Sequence, residues 1–262
     1  MLEKEGKFEG EKIRKKWHSL ISKFKEKPLD FNFKEAVLAC LQNQSSNIYT
    51  HSIHSYPAKM FVYIPRFFLS ISDICSPEGK ILDPFCGSGT VLLESLIHPL
   101  YKRNVYGVEI NPLGRLISKV KTTPLPEGEL REKIDYLLKS VQGLNSISEV
   151  YIPDSANLKF WFSEKAINRL GKLRYLIEGV EEDDYRDFFW LCFSSIIRKV
   201  SNADPFIPPP VRLKIEKYND SKSKERLLRE FIKQIRDPDV AGLFRKKVEE
   251  LAEKNQAVTE NK

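Results

Sequence analysis

The stretch of sequence that decides the fold is GKILDPFCGSGTVLLESLI, residues 79–97, together with NVYGVEINPLGRLISKVK, residues 104–121. In the first part, an apolar run around Leu82 predicts a short strand, a glycine-rich turn follows it, and a helix is predicted to begin near Thr90. The second part predicts another strand, which ends on the acid Glu109, and then another helix. This order of strand, helix and strand is the opening unit of a doubly wound α/β sheet.

The turn after the first strand has the composition of a ligand-binding loop. Gly87 and Gly89 lack a Cβ, so they accept positive φ and let the backbone approach a ligand, and the helix N-terminus beyond them offers free N–H groups. A carboxylate at Glu109 can accept hydrogen bonds from both hydroxyls of a ribose. A nucleotide-like ligand is therefore expected. A site for NAD would use an acid at the same place, and a glycine-rich loop alone is not specific.

Two motifs together carry a family resemblance. The run DPFCGSGT, residues 83–90, is not GxGxxG, and it closely resembles the S-adenosylmethionine (AdoMet) motif of DNA methyltransferases that modify the exocyclic nitrogen of cytosine (N4) or adenine (N6). Upstream, HSYPAKM, residues 54–60, resembles the segment that precedes this loop in the same family and encloses the methionine part of AdoMet. From its residues alone, the upstream segment could also be an ordinary helix entry with Pro57 at its start.

The resemblance implies a cofactor site and assigns its residues. Glu109 would hold the ribose, and Asn111 and Pro112 would lie beside the adenine. The residues expected to bind S-adenosyl-L-methionine are His54, Tyr56, Pro57, Ala58, Lys59, Asp83, Pro84, Phe85, Cys86, Gly87, Ser88, Gly89, Thr90, Glu109, Ile110, Asn111 and Pro112.

The catalytic motif of that family is missing from the sequence. An exocyclic amine is a poor nucleophile, and the family positions it with a Ser/Asp/Asn-Pro-Pro-Tyr/Phe/Trp motif, whose aromatic ring stacks on the flipped base. Here the only adjacent prolines lie in FIPPPV, residues 206–211, without a polar acceptor or an aromatic residue at the required places. The neighbouring Asp204, Pro205 and Phe206 lack the second proline and are interpreted as a loop. No catalytic residue is assigned.

Three explanations fit a cofactor motif without a catalytic motif. The chain could be one subunit of a split methyltransferase, a truncated fragment, or an inactive remnant. We favour the split form, because the cofactor loop is intact and an incomplete sheet predicts exposed apolar surface that a partner would cover.

The expected function is therefore the AdoMet-binding component of a site-specific methyltransferase acting on double-stranded DNA, with cytosine N4 favoured over adenine N6 by resemblance. It would need a complementary subunit that carries the catalytic motif. The alternatives are an inactive nucleic-acid-binding or scaffold protein on the same fold, and a methyltransferase acting on RNA or a small molecule.

The rest of the chain is predicted to be largely helical. Residues 11–27 predict a basic amphipathic helix, whose apolar stripe most simply packs on the core, and residues 61–71 predict a helix with a proline near its first turns. Farther along, a Pro-rich loop precedes a helix over residues 131–144, Ser163 is expected to cap the next helix, and residues 185–200 predict an apolar helix behind an acidic turn.

Two segments are expected to lack regular structure: SNADPFIPPPV, residues 201–211, as a stiff extended connector, and residues 256–262 as a frayed end. Because a complete sheet of this class has roughly five to seven strands, the expected fold is α/β, a partial Rossmann-like AdoMet-dependent methyltransferase core with a helical elaboration. The expected domains are a basic N-terminal helical segment (1–48), an AdoMet-binding βαβ core (49–122), a helical region with the connector (123–211) and a charged helical C-terminal segment (212–262).

Composition sets further bounds on function. The 43 Lys and Arg residues outnumber the 36 Asp and Glu residues, and the net charge of +7 is compatible with a polyanionic partner, with basic clusters at residues 12–27 and 245–247. The four cysteines form no CxxC pair, and His51 and His54 have no third ligand nearby, so no metal is expected. No uncharged apolar run approaches about 18 residues, which predicts no membrane span and a cytoplasmic protein.

Overall fold

We describe the protein from a computed structural model, which defines residues 18–33, 49–57, 59–98, 101, 103–142, 151–155, 157–207, 210–218 and 222–259. The chain divides into two compact units. Unit 1 comprises Met1–Ser52, Tyr56–Thr122 and Asn261–Lys262, and unit 2 comprises Ile53–Ser55 and Thr123–Glu260.

Unit 1 contains the βαβ arrangement that the sequence predicts. Its elements are a 3-10 turn (Tyr49–Ser52), helix α1 (Tyr63–Leu69), strand β1 (Lys80–Asp83), helix α2 (Thr90–Leu96), strand β2 (Asn104–Gly107) and helix α3 (Pro112–Thr122). The strands are parallel, with Lys80 opposite Asn104 and Asp83 opposite Gly107. Strand β2 ends before Glu109, which therefore lies in the loop that leads to α3.

The core of unit 1 forms where α2 packs against both strands, α1 and α3. Leu93 on α2, Phe67 on α1 and Ile117 on α3 are fully buried, because each stands on the inward face of its helix. Residues 18–26 are also helical and end at the predicted Lys-Pro stop. Phe24 packs edge-to-face on Phe67 at 5.6 Å, so this part of the apolar stripe serves the core as predicted. Residues 11–17 lie outside the described residues.

Unit 2 is a helical assembly. Its main helices are α4 (Glu127–Gln142), α5 (Glu164–Glu178), α6 (Asp183–Ile197), α7 (Lys222–Arg236) and α8 (Val240–Thr259), with a single turn at Leu158–Trp161 and 3-10 turns at Arg198–Val200 and Ile215–Tyr218. Helix α8 packs on α4, α5 and α6. The predicted cap of α5 is confirmed, since Ser163 Oγ accepts a hydrogen bond from the Ala166 N–H.

The fold departs from the sequence-based expectation at two further places. The ends of the 201–211 segment pair with each other, which an extended connector would not do: Ala203 and Arg212 form an antiparallel bridge, and Asp204 N donates to Val211 O at 2.7 Å. Residues 208 and 209 lie outside the described residues. The residues 256–259 are not frayed, because α8 continues to Thr259 and buries Val258.

Together, the described residues are mostly helical with one two-stranded parallel sheet. That arrangement is compatible with a partial methyltransferase core. Within the same residues, none of the helices is both long and apolar enough to cross a membrane.

Candidate cofactor site

The glycine-rich loop turns sharply between β1 and α2. Gly87 and Gly89 have φ values of +50° and +73°, which a residue with a Cβ adopts only at a cost. The loop is held by backbone hydrogen bonds from Cys86 N to Val108 O at 3.0 Å and from Gly89 N to Cys86 O at 2.7 Å. Asp83 Oδ1 accepts from Phe85 N at 3.1 Å and fixes the start of the turn. The backbone conformation that the motif predicts is therefore present.

Two side chains lie over the loop. A Cβ added at Gly87 would lie 3.8 Å from the Tyr56 ring and 3.9 Å from Glu109 Oε2, and one at Gly114 would lie 2.9 Å from the Tyr56 hydroxyl. Tyr56, Glu109 and the two glycines are therefore neighbours, although they come from three separate stretches of sequence. An aromatic ring, a carboxylate oxygen and bare backbone meet here, and this combination suits a ligand with both apolar and hydroxyl groups.

Glu109 and Asn111 also organise the start of α3. The Glu109 carboxylate accepts from Asn111 N through Oε1 at 2.8 Å. Asn111 Oδ1 in turn accepts from Leu113 N at 2.9 Å and caps the helix. The Asn111 side chain thus has a structural role of its own, whereas Glu109 Oε2 is directed toward Gly87. Pro112 is the first residue of the helix.

The predicted site residues divide into outward and inward groups. Phe85 and Ile110 are 90% and 96% exposed, and Pro84 is also exposed. Cys86, Ser88 and Thr90 are buried, and burial raises the pKa of the Cys86 thiol, which disfavours its reactive thiolate form. A ligand at this loop would therefore meet its backbone rather than these three side chains.

The upstream motif is split between the two units. Tyr56, Pro57 and Lys59 belong to unit 1, where Lys59 Nζ donates to His51 O at 3.3 Å. His54 belongs to unit 2, where its Nε2 lies 3.1 Å from Ser194 Oγ. Ala58 lies outside the described residues.

Sequence reasoning missed a close contact behind the loop. A Cβ at Gly107 would lie 2.6 Å from Leu92 Cδ1 and 2.8 Å from Cys86 Sγ, so a larger residue there would force the Leu92 or Cys86 side chain to move. Gly89 is equally constrained, because a Cβ would lie 2.8 Å from Ser118 Cβ. The sequence feature that indicated the contact was Gly107, a glycine inside the second predicted strand.

Sequence reasoning also missed a buried polar network in unit 1. Glu94 is 2% exposed and accepts hydrogen bonds from His51 Nε2 at 2.7 Å and from Arg66 Nε at 2.7 Å. The signal for it in the sequence was one acid within the apolar helix TVLLESL. His51 is thus a partner of a carboxylate, and the described residues contain no group of three His, Cys, Asp or Glu side chains that could hold a metal ion.

Two other sequence features have structural roles in unit 2. Asp204 is 1% exposed, and its carboxylate accepts from Phe206 N at 2.9 Å and from the Tyr218 hydroxyl at 2.6 Å. These bonds form a turn at Asp204–Phe206 and connect it to the 3-10 turn at Ile215–Tyr218. The basic cluster at 245–247 is not a uniform surface patch, because Lys247 is 9% exposed and lies 3.2 Å from Glu250 Oε2.

Unit 2 also has a cavity of about 310 Å³. Its lining is almost entirely apolar and includes Pro153, Phe162, Leu170, Trp190, Phe193 and Ile197. A nucleobase needs hydrogen-bonding groups around its edge. The surface of this cavity offers almost no polar groups, so the glycine-rich loop of unit 1 is the stronger candidate for a functional site.

Two curated proteins are similar to this chain. The chain is 38% identical over 170 residues to the type II methyltransferase M.MvaI of Kocuria varians, covering 62% of this chain and 36% of that protein. It is 24% identical over 174 residues to the type II methyltransferase M.MjaII of Methanocaldococcus jannaschii, covering 63% of this chain and 31% of that protein. No family model and no solved structure matches the chain.

These relatives confirm the resemblance to the DNA methyltransferase family that the two motifs predict. The chain spans about a third of the length of each relative.

Proposed function

We propose that this chain, which is related to type II methyltransferases, is the AdoMet-binding component of a DNA methyltransferase that modifies an exocyclic amine. The observation that carries the proposal is the DPFCGSGT loop, in which the left-handed Gly87 faces Tyr56 and Glu109. The backbone N–H groups at the start of α2 and the Glu109 carboxylate would hold the polar parts of AdoMet. Residues 49–122 would form the cofactor-binding core, with a Rossmann-like arrangement.

AdoMet supplies an activated methyl group when bound, and this chain's residues would bind and orient it. Glu109 Oε2 would accept hydrogen bonds from the ribose hydroxyls. The Tyr56 ring would exclude water from one side of the loop. The bare backbone at Gly87 and Gly114 leaves room that any larger residue would fill.

Calorimetric titration with AdoMet tests cofactor binding. Glu109→Ala is expected to weaken binding at least about tenfold, since a hydrogen bond to a charged group contributes about 1.5 to 3 kcal/mol. Glu78→Ala is the matched control, because Glu78 is an exposed acid in the same unit. An unmodified chain that fails to bind AdoMet would overturn the proposal.

The catalytic step is proposed to need a second polypeptide with a Ser-Pro-Pro-Tyr-type motif. Parallel sheets are normally covered on both faces, yet Leu82 and Tyr106, which are paired in register, are 63% and 52% exposed. Val108 and Ile110 continue this apolar surface at 57% and 96% exposure. Further strands and helices from a partner would bury these side chains and bring the catalytic motif to the cofactor.

Transfer of a labelled methyl group from AdoMet to double-stranded DNA tests this part. The chain alone is expected to be inactive, and adding a polypeptide with the catalytic motif is expected to restore transfer. Cytosine N4 is the favoured target, and mass analysis of digested DNA distinguishes it from adenine N6. Methyl transfer by this chain alone would contradict the two-polypeptide form, and AdoMet binding without any DNA methylation in the combined sample would favour an inactive scaffold.

A further inference from the structure

Glu94 occupies an unusual place for a carboxylate. It lies one turn beyond Thr90 on α2, the helix that follows the glycine-rich loop, and it is 2% exposed. Burial raises the pKa of the Glu94 carboxyl, but hydrogen bonds from His51 and Arg66 outweigh burial and hold that pKa below its usual value. Glu94 is therefore a buried anion, which a folded protein tolerates only when it is well paired.

The two partners of Glu94 come from opposite sides of Tyr56 in the sequence. His51 precedes Tyr56 and lies in the 3-10 turn, where burial lowers the pKa of its imidazole, so that a neutral ring donates its Nε2 proton to Glu94 Oε1 at 2.7 Å. Arg66 follows Tyr56 on α1 and donates from Nε to Oε2 at 2.7 Å and from Nη2 to Oε1 at 3.0 Å. The Glu94 carboxylate thus binds one residue before Tyr56, His51, and one residue after it, Arg66.

Additional contacts hold the same flanks. Lys59 Nζ donates to the His51 carbonyl at 3.3 Å, and Thr50 Oγ1 donates to the Lys121 carbonyl at the end of α3 at 2.8 Å. Helix α3 begins beside Glu109, the second side chain over the loop. The anchored segment therefore connects to both helices that border the candidate site.

We propose that Glu94 is a positioning residue for AdoMet binding, which holds Tyr56 over Gly87 and Gly114 through its bonds to His51 and Arg66. Glu94 makes no contact with the cofactor in this proposal. Glu94 acts by restricting Tyr56 to the position that covers the loop, so that the Tyr56 segment loses less conformational entropy when AdoMet binds. The inference rests on the proposed AdoMet site.

The test measures AdoMet affinity of the full chain by calorimetry, at a temperature where circular dichroism shows each variant to be folded. Glu94→Gln keeps the shape of the side chain and removes its charge, and is expected to weaken AdoMet binding about tenfold. Arg66→Lys keeps the positive charge but cannot form two parallel bonds, and is expected to act in the same direction. Arg131→Lys, which alters an exposed ion pair with Glu127, is the matched control and is expected to leave affinity unchanged.

A double-mutant cycle separates positioning from general stability. In a Tyr56→Ala background, Glu94→Gln is expected to change AdoMet affinity less than about twofold, because its effect passes through Tyr56. Fully additive effects of the two substitutions would overturn the proposal, as would unchanged affinity in Glu94→Gln. If that variant does not fold, Arg66→Lys takes its place with the same criteria. Absence of AdoMet binding by the unmodified chain would instead overturn the proposed function and this inference with it.

Discussion

Lys121 provides a direct test of the energetics of unit 1. It lies near the end of α3, is 1% exposed, and among the described residues its Nζ has no hydrogen-bond partner. Burial, helped by the nearby positive charge of Lys59, lowers the pKa of Lys121 from 10.5 to about 7. Lys121→Met removes the ammonium and keeps an unbranched apolar chain, and the backbone carbonyl that accepts from Thr50 remains.

The size and sign of the effect follow from the two pKa values. Between about pH 7 and 10.5 the Lys121 side chain is protonated in the unfolded chain and neutral in the folded chain. Because the unfolded state holds more protons, the amount by which Lys121 lowers the free energy of unfolding decreases as pH rises. Each pH unit in this window corresponds to about 1.4 kcal/mol. Lys121→Met is therefore expected to raise the free energy of unfolding by about 3 kcal/mol at pH 8, and the gain should approach zero near pH 10.5.

Urea denaturation followed by circular dichroism, repeated between pH 7 and 10, measures this difference. Lys119→Met is the control, because Lys119 is an exposed lysine in the same last turn, so its replacement removes a lysine from the helix end without removing a buried amine. The reasoning is refuted if Lys121→Met gives no gain at pH 8, if its gain does not change with pH, or if Lys119→Met gives the same gain.

Further substitutions test three local features. Gly89→Ala is expected to lower stability by about 2 kcal/mol, because φ at Gly89 is +73° and the new Cβ would lie 2.8 Å from another side chain. Gly128→Ala is expected to raise stability by about 0.5 to 1 kcal/mol, because Gly128 is a helical residue with open space around it. Thermal melts in which both substitutions shift stability in the same direction would contradict this. Asn255→Ala is expected to cost about 2 kcal/mol in urea denaturation, since two bonds from its buried amide to backbone groups, at 2.8 and 2.9 Å, are lost. Ser163→Ala is expected to cost about 1 kcal/mol by removing the cap of α5, and Ser163→Asn should recover most of it in the same assay.

The parts of the fold that the sequence predicted are those determined by local chemistry. The turn at Gly87 and Gly89 needs positive φ, and the cap at Ser163 needs only a hydroxyl three residues before an N–H group. Such requirements are met within a few residues, so the strand, loop and helix could be located from the sequence. The position of β1 and the start of α2 agree with the prediction for this reason.

The parts that could not be predicted depend on contacts between distant residues. Glu94 lies 43 residues from His51 and 28 from Arg66, and nothing in the local pattern pairs them. The prolines in residues 208–210 suggested an extended connector because each restricts φ, but the bridge between Ala203 and Arg212 determines the direction of the chain. Long-range pairing decided both features.

The candidate site combines residues with two different purposes, and this bears on whether the chain is an inactive remnant. Cys86, Ser88 and Thr90 are buried, so packing alone is a sufficient reason for a small side chain at each of them. The Glu109 and Tyr56 side chains are only part-buried and lie beside glycine backbone, with Glu109 Oε2 and the Tyr56 ring at 3.9 and 3.8 Å from a hypothetical Gly87 Cβ. They are the two side chains on which the proposed AdoMet site depends, so AdoMet binding, and not stability, is the measurement that distinguishes a ligand site from a structural remnant.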